Sequence, residues 1–159
     1  MEFLQILTTL RRHNVRFIVV GAVGAVLQGA PINTFDLDIV HATDEDNVTA
    51  LQAALIELDA CFRVQRECRL VPDRSHLRSP GHQLLMTRYG PLDLLGSIGR
   101  GHTYEDLAPR AVTMETGAGP VEVLDLAALI LIKEETAQEK DLAVLPVLRR
   151  TLERKRKRE

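Results

Sequence analysis

The chain has 159 residues, 45% of them hydrophobic, which is enough to bury one core without disulfide or metal staples. No apolar run approaches the ~20 residues that cross a bilayer, and the first five residues lack the basic start of a secretory leader, so a cytoplasmic protein without membrane contact is expected. The net charge of -2 conceals an asymmetry, because residues 149–159 hold seven Lys/Arg against two Glu.

Phe3, Leu4, Ile6, Leu7 and Leu10 recur at helical spacing, and His13-Asn14 breaks that pattern before the β-branched run of residues 17–20. A helix followed by a strand is the expectation. Gly21 ends the strand, residues 22–28 read as a short helix of small residues, and Gly29 closes it with Pro31 just beyond. Residues 35–40 then alternate, with Phe35, Leu37 and Ile39 on one face of a strand and Asp36 and Asp38 on the other.

Thr43 is placed to cap a helix that starts near Asp44 and carries Val48, Leu51, Ala54, Leu55 and Leu58 on its apolar side. Cys61 and Cys68 lack metal-ligand spacing, as do the five histidines, and Cys61 reads as a small core residue. Residues 62–71 fit one broken strand or a hairpin, and residues 72–81 are polar enough to form a loop. Residues 83–88 and 92–95 read as strands joined through Tyr89-Gly90-Pro91. A second hairpin is expected from residues 111–115 and 121–124. Asp125 caps a helix to about residue 138, and a further helix covers residues 140–155 with Pro146 as a kink. The basic end, TLERKRKRE, either attracts RNA phosphates or is the solvated end of that helix.

These elements make an α/β (α+β) domain, a mixed sheet flanked by helices. One unit over residues 1–159 is expected, with a core to about 124, C-terminal helices over about 125–155, and the basic tail.

Two carboxylates on one strand face, Asp36 and Asp38, are costly unless a cation neutralises them, and hard oxygen donors suit magnesium. A solvated strand face would explain the same pair without a metal. Gly21, where a strand feeds a helix, offers backbone N–H groups and open space to a phosphate. An ordinary strand-to-helix turn would use the same residue.

Gly21-Ala22, followed by Gly29-Ala30-Pro31-Ile32-Asn33-Thr34-Phe35-Asp36-Leu37-Asp38-Ile39, resembles the nucleotidyltransferase superfamily that shares the DNA polymerase β palm fold. It is most similar to the minimal bacterial groups, the toxin-like enzymes of AbiEii type and the lincosamide-type antibiotic nucleotidyltransferases. Tyr89-Gly90-Pro91-Leu92-Asp93-Leu94-Leu95 resembles their strand with a third carboxylate, and Lys133, Ala137, Lys140 and Asp141 resemble the Lys-rich helical segment that follows. The resemblance spans roughly residues 15–145.

It implies Asp36, Asp38 and Asp93 as catalytic metal ligands for two magnesium ions, with manganese as a substitute. Gly21, Ala22, Thr34, Lys133 and Lys140 would contact the nucleotide. Lys133 and Lys140 are seven residues apart, two helical turns and hence on one face, where they either both reach phosphates or pair with Glu134, Glu135, Glu139 or Asp141 as a solvated surface. The implied reaction moves a nucleoside monophosphate from an NTP to a hydroxyl of RNA, protein or a small molecule, with an antitoxin partner if the chain is a toxin. Two departures stand out: Ala22 where many relatives have Ser or Gly, and Ile32-Asn33 where many toxin-like relatives have an arginine. They leave a nucleotide- or RNA-binding module without transfer activity, or a partner-binding protein, as the alternative.

Overall fold

The computed structural model describes residues 2–64, 67 and 69–159. Helix α1 (Phe3–Arg12) leads into β1 (Phe17–Val20), α2 (Gly21–Leu27), β2 (Leu37–His41) and α3 (Glu45–Glu57). Next come β3 (Cys61–Phe62), α4 (Arg74–Arg78), β4 (His82–Thr87) and β5 (Gly90–Leu95). Two short strands, β6 (Ser97–Ile98) and β7 (His102–Thr103), precede α5 (Tyr104–Leu107) and a 3-10 turn at Ala108–Arg110. The chain ends with β8 (Ala111–Thr116), β9 (Gly119–Leu124), α6 (Leu126–Thr136) and α7 (Glu139–Lys157).

Among the described residues seven strands form one sheet in the order β3-β4-β5-β2-β1-β9-β8, while β6 and β7 pair separately. The sheet is mixed, since β2 runs parallel to β5 and β1 parallel to β9, and the other neighbours are antiparallel. Antiparallel neighbours β4 and β5 follow from the Gly90 turn, where φ is +124°. The parallel pair β2–β5 needs the long crossover through α3.

Each face of the sheet has its own core. Leu37, Ile39, Leu85, Leu92 and Leu94 pack under α1 and α3, against Ile6, Leu7, Leu10, Leu51 and Leu58. Ile18, Val20, Val40 and Leu95 pack under α6 and α7, against Leu129, Ile130, Leu145 and Leu148. Cys61 is buried as expected, whereas Cys68 lies outside the described residues. No helix is long and apolar enough to cross a membrane among the described residues.

Several sequence expectations shift. The β2 strand starts at Leu37, not at residue 35, and Phe35 is 88% exposed instead of facing the core. The cause is the length of β1: Val20 is its last residue and pairs with Asp38, so Phe35 and Asp36 extend past the end of that neighbour. Asp44, not Thr43, caps α3 by accepting from the Asn47 N–H. The stretch expected as a loop over 72–81 contains α4, held by a reciprocal capping box between Asp73 and His76. Of the strand or hairpin expected over 62–71, the described residues show Phe62, the end of the two-residue β3, and a backbone bond from its N–H to the Leu70 carbonyl, while Gln65, Arg66 and Cys68 lie outside the described residues. Helix α7 runs through Pro146, which stands inside it.

Candidate active site

The register of four strands builds a polar row on one sheet face. Val20 on β1 sits opposite Asp38 on β2, Asp38 beside Asp93 on β5, and Asp93 opposite Leu84 on β4. Because side chains alternate along each strand, residues paired in register project to the same side. Asp38 and Asp93 are thus forced together in the middle of the sheet, flanked by aliphatic neighbours.

The surroundings make Asp38 a reluctant anion. Burial pushes its carboxyl up to about 7, the hydrogen bond and charge of Asp93 and the charge of Asp36 push the same way, and Lys133 pulls against them. Asp38 Oδ1 is buried without a hydrogen-bond partner. A carboxylate oxygen without a partner beside a second carboxylate costs free energy unless a proton or a cation neutralises it.

Gly21 leans on the same carboxylate. Its φ is +66°, a conformation that side chains disfavour, and a Cβ there would overlap Asp38 Oδ2 and come within 3.1 Å of Cγ. So the glycine is required twice, by its backbone and by Asp38. Helix α2 that it opens has only seven residues, so its dipole adds little, and the case for phosphate rests on the bare backbone at Gly21. Ala22 beside it is half-buried and brings no hydroxyl.

Gly21 and Asp38 line a cavity of about 360 Å³ together with His82, Lys133, Lys140 and Asp141. The expected single helical face for the two lysines is not what joins them. Lys133 is on α6 and Lys140 on α7, with the break at Ala137, whose φ is +48°. The turn between the helices wraps the cavity mouth and brings both lysines in from different elements. Lys133 Nζ lies 3.4 Å from Asp141 Oδ1, and the Thr136 hydroxyl donates to Asp141 Oδ2 at 2.7 Å. Burial would raise Asp141, but those two neighbours bring it below the usual carboxylate range. Lys140 is exposed and has no ion-pair partner among the described residues.

The remaining sequence candidates sit apart from this cavity. Asp36 is exposed on the segment before β2. Thr34 lines a separate groove with Phe35 and Tyr89, and its hydroxyl donates to the Asp36 carbonyl at 3.3 Å. Asp93 is held by a residue that sequence reasoning missed: Arg63 Nη2 donates to Asp93 Oδ1 at 2.5 Å and to the Leu85 carbonyl at 3.0 Å. Arg63 Nε is buried without a partner. Nothing local signals this arginine, which reaches Asp93 because β3 pairs with β4 and β4 with β5. Among the described residues no group of three or more His, Cys, Asp or Glu stands ready to hold a metal. Asp38 and Asp93 are an adjacent carboxylate pair, with the exposed Asp36 just before the start of β2.

A strand, a glycine turn, a short helix and a carboxylate strand, set in this sheet order beside a lysine-lined cavity, are the organisation of a nucleotidyltransferase. Residues 2–85 match the aminoglycoside-2''-adenylyltransferase family, and the chain belongs to that family. The matched part contains Gly21, Asp36 and Asp38 and ends before Asp93. Two solved structures share the fold. The lincosamide antibiotic adenylyltransferase LnuA, in its lincomycin-bound form, superposes with a TM-score of 0.63 at 18% identity, covering 93% of this chain and 94% of that one. A Thermotoga maritima protein described as a nucleotidyltransferase superposes with a TM-score of 0.57 at 17% identity, covering 89% and 86%. No curated protein sequence matches the chain.

Proposed function

We propose that this nucleotidyltransferase moves a nucleoside monophosphate, adenylate first among them, from an NTP to a hydroxyl of a small-molecule acceptor with the help of a divalent cation. The carrying observation is the Asp38–Asp93 pair on adjacent parallel strands, with Asp38 against Gly21 in a cavity lined also by Lys133 and Lys140. The family's name supports ATP as donor. Because the cavity draws on the sheet and on both C-terminal helices, residues 1–159 are proposed to work as one unit.

The donor set fits magnesium or manganese: two carboxylates, one with an oxygen that has no other partner. Asp38 and Asp93 would hold the cation, and Asp36 would join them as the third carboxylate. When bound, the cation supplies positive charge to the α-phosphate and to the leaving pyrophosphate. Gly21 admits the phosphates to the backbone, and Lys133 and Lys140 neutralise them from the opposite wall. Asp93 receives the proton of the acceptor hydroxyl as its oxygen bonds to the α-phosphorus and the bond to pyrophosphate breaks. Ala22 completes the proposed nucleotide contacts through the backbone of the turn, whereas Thr34, in the separate groove with Phe35 and Tyr89, is left out of them.

One observation favours a second reading, nucleotide binding without transfer. Arg63 already neutralises Asp93, and Asp36 lies outside the carboxylate pair. Incubation with α-labelled ATP, magnesium and a panel of hydroxyl-bearing antibiotics decides between the two. Transfer predicts labelled acceptor and pyrophosphate from the wild type and neither from Asp38→Asn. Nucleotide binding with no pyrophosphate from any acceptor selects the second reading, and no magnesium-dependent nucleotide binding at all sinks both.

A further inference from the structure

The sheet face that carries Asp38 and Asp93 is only partly covered. Over β1, β2 and the end of β5 it lies under α6 and α7, where Val20, Val40 and Leu95 are buried. Over β4 the cover stops, and the outward residues His82 and Leu84 are exposed. Leu84 is 44% exposed, Leu70 51% and Val64 75%. Together with Phe62 and His82 they line a second cleft of about 400 Å³. Clefts of this size hold small molecules, at roughly 300–1,000 Å³.

Its position gives it a role. Leu84 is the cross-strand partner of Asp93, so the cleft floor adjoins the carboxylate on the side away from Gly21. His82 lines both clefts, its Nε2 anchored to the Ser97 carbonyl at 2.9 Å, and marks where they meet. A ligand seated here presents its edge to Asp93, while phosphates enter from the Gly21 and lysine side.

The lining fixes the chemistry. Val64, Leu70 and Leu84 are aliphatic, Phe62 turns an edge to His76, and none of the five lining residues is a carboxylate. The Arg63 guanidinium adjoins it, paired with Asp93. Aminoglycosides are polyamines with several protonated nitrogens, and most would lose hydration over this aliphatic lining, because the adjoining carboxylate, Asp93, is already neutralised by Arg63. An acceptor with an apolar body would instead cover surface that water now touches.

Resting on the proposed transfer function, we infer that this cleft is the acceptor subsite. It takes a hydroxyl-bearing small molecule with a mainly apolar body and at most one positive charge, in place of the polyamines after which the family is named. The aliphatic walls supply affinity, and Asp93 at the edge faces the hydroxyl.

Binding can be read without turnover, which separates this inference from the transfer reading. Calorimetry would use lincomycin and chloramphenicol as apolar-bodied probes and kanamycin as the polyamine, on wild type, Leu84→Glu and Val64→Glu. Both positions are open to solvent, so the variants should fold, and ATP affinity measured in parallel checks that they do. At least one apolar probe should bind wild type more tightly than kanamycin, and each Glu variant should weaken it by about tenfold, the scale of losing one aliphatic contact. Kanamycin binding as tightly, neither apolar probe binding, or both variants binding as wild type would overturn the inference. So would light scattering that shows the open face buried in a dimer which Leu84→Glu splits. Transfer activity without apolar-probe binding would spare the function and reject only the cleft.

Discussion

The middle of the sheet and its β3–β4 end depart from the usual inside-outside arrangement in opposite directions. In the middle, Asp38 is pressed into a setting where burial works against its charge, with one oxygen left without a partner. At that end, Val64, Leu70 and Leu84 are exposed to water. Either departure alone would be a defect that costs stability. Side by side on one face, joined through Leu84 and Asp93, they divide the surface into a charged half suited to phosphates and metal and an apolar half suited to the body of an acceptor.

The strongest way to break this division is at the seam. Asp93→Ala removes the carboxylate nearest the acceptor while Asp38 stays, so transfer should fall by roughly 10² or more, the scale of a positioned acid-base group. Nucleotide affinity, measured by calorimetry with a non-hydrolysable NTP, should stay within a few fold. A variant as active as wild type would place the seam elsewhere.

Gly21→Val attacks the charged half from behind. A valine must adopt φ near +66° and displace the Asp38 carboxylate, which should cost about 3 kcal/mol, the sum expected of backbone strain and overpacking. From the sequence alone, Gly21 is important chiefly for phosphate access. With Asp38 against it, stability and nucleotide affinity should fall together. A denaturant midpoint unchanged from wild type would show that Asp38 does not rest there.

Asp38→Asn tests the reluctant anion. Its carboxyl titrates near 7 when folded but near 3.8 when free, so between those values the folded chain keeps a proton that the unfolded chain has lost. Relative to Asp38→Asn, wild-type stability without metal should therefore fall as pH rises from about 4 to 7 and then level off, since the opposite contribution of buried His41 is common to both proteins. Asparagine removes that decline. The variant should be more stable above pH 7 by about 1–2 kcal/mol, or ~2–4 °C in Tm per kcal/mol, and magnesium should raise the Tm of wild type alone. Parallel stability-pH profiles for the two proteins would show Asp38 ionised at no cost.

How much of this was legible without coordinates follows from the range of each signal. The helix, strand, glycine turn and Asp38 strand were readable because hydrophobic periodicity and a turn residue specify them over a few neighbours, and the Asp93 hairpin because Gly90 marks it. The true start of β2 was not, since it depends on where β1 ends in space, and so Phe35 and Asp36 were assigned to strand faces they do not occupy. Helix α4 hid in a polar stretch because its formation rests on the Asp73–His76 box, not on an apolar stripe. Arg63 on Asp93 and the meeting of Lys133 with Lys140 depend on packing between distant elements, which no local pattern encodes.

The smallest expected effect concerns the basic end, which from sequence was either an RNA-attracting tail or a solvated helix end. Helix α7 continues to Lys157, Thr151 is buried, and Arg149 pairs with Glu134 at 3.1 Å. Lys155 turns inward, where Nζ donates to Gln28 Oε1 at 3.0 Å. Gln28 is a buried junction: its amide donates to the carbonyls of Gly24 and Leu124, and its Oε1 also accepts from the Leu126 N–H. Removing the lysine leaves every other Gln28 bond in place, so Lys155→Met should cost only about 0.5 kcal/mol, the low end for one hydrogen bond. Gln28→Leu strands the Leu126 N–H and the Leu124 carbonyl together and should cost about 2 kcal/mol or more. Urea midpoints of the two variants and the double mutant would give the coupling, expected to be small because the lysine is one of four contacts. A Lys155→Met loss as large as that of Gln28→Leu would make the helix end, and not the α2–α6 contact, what Gln28 is there to hold.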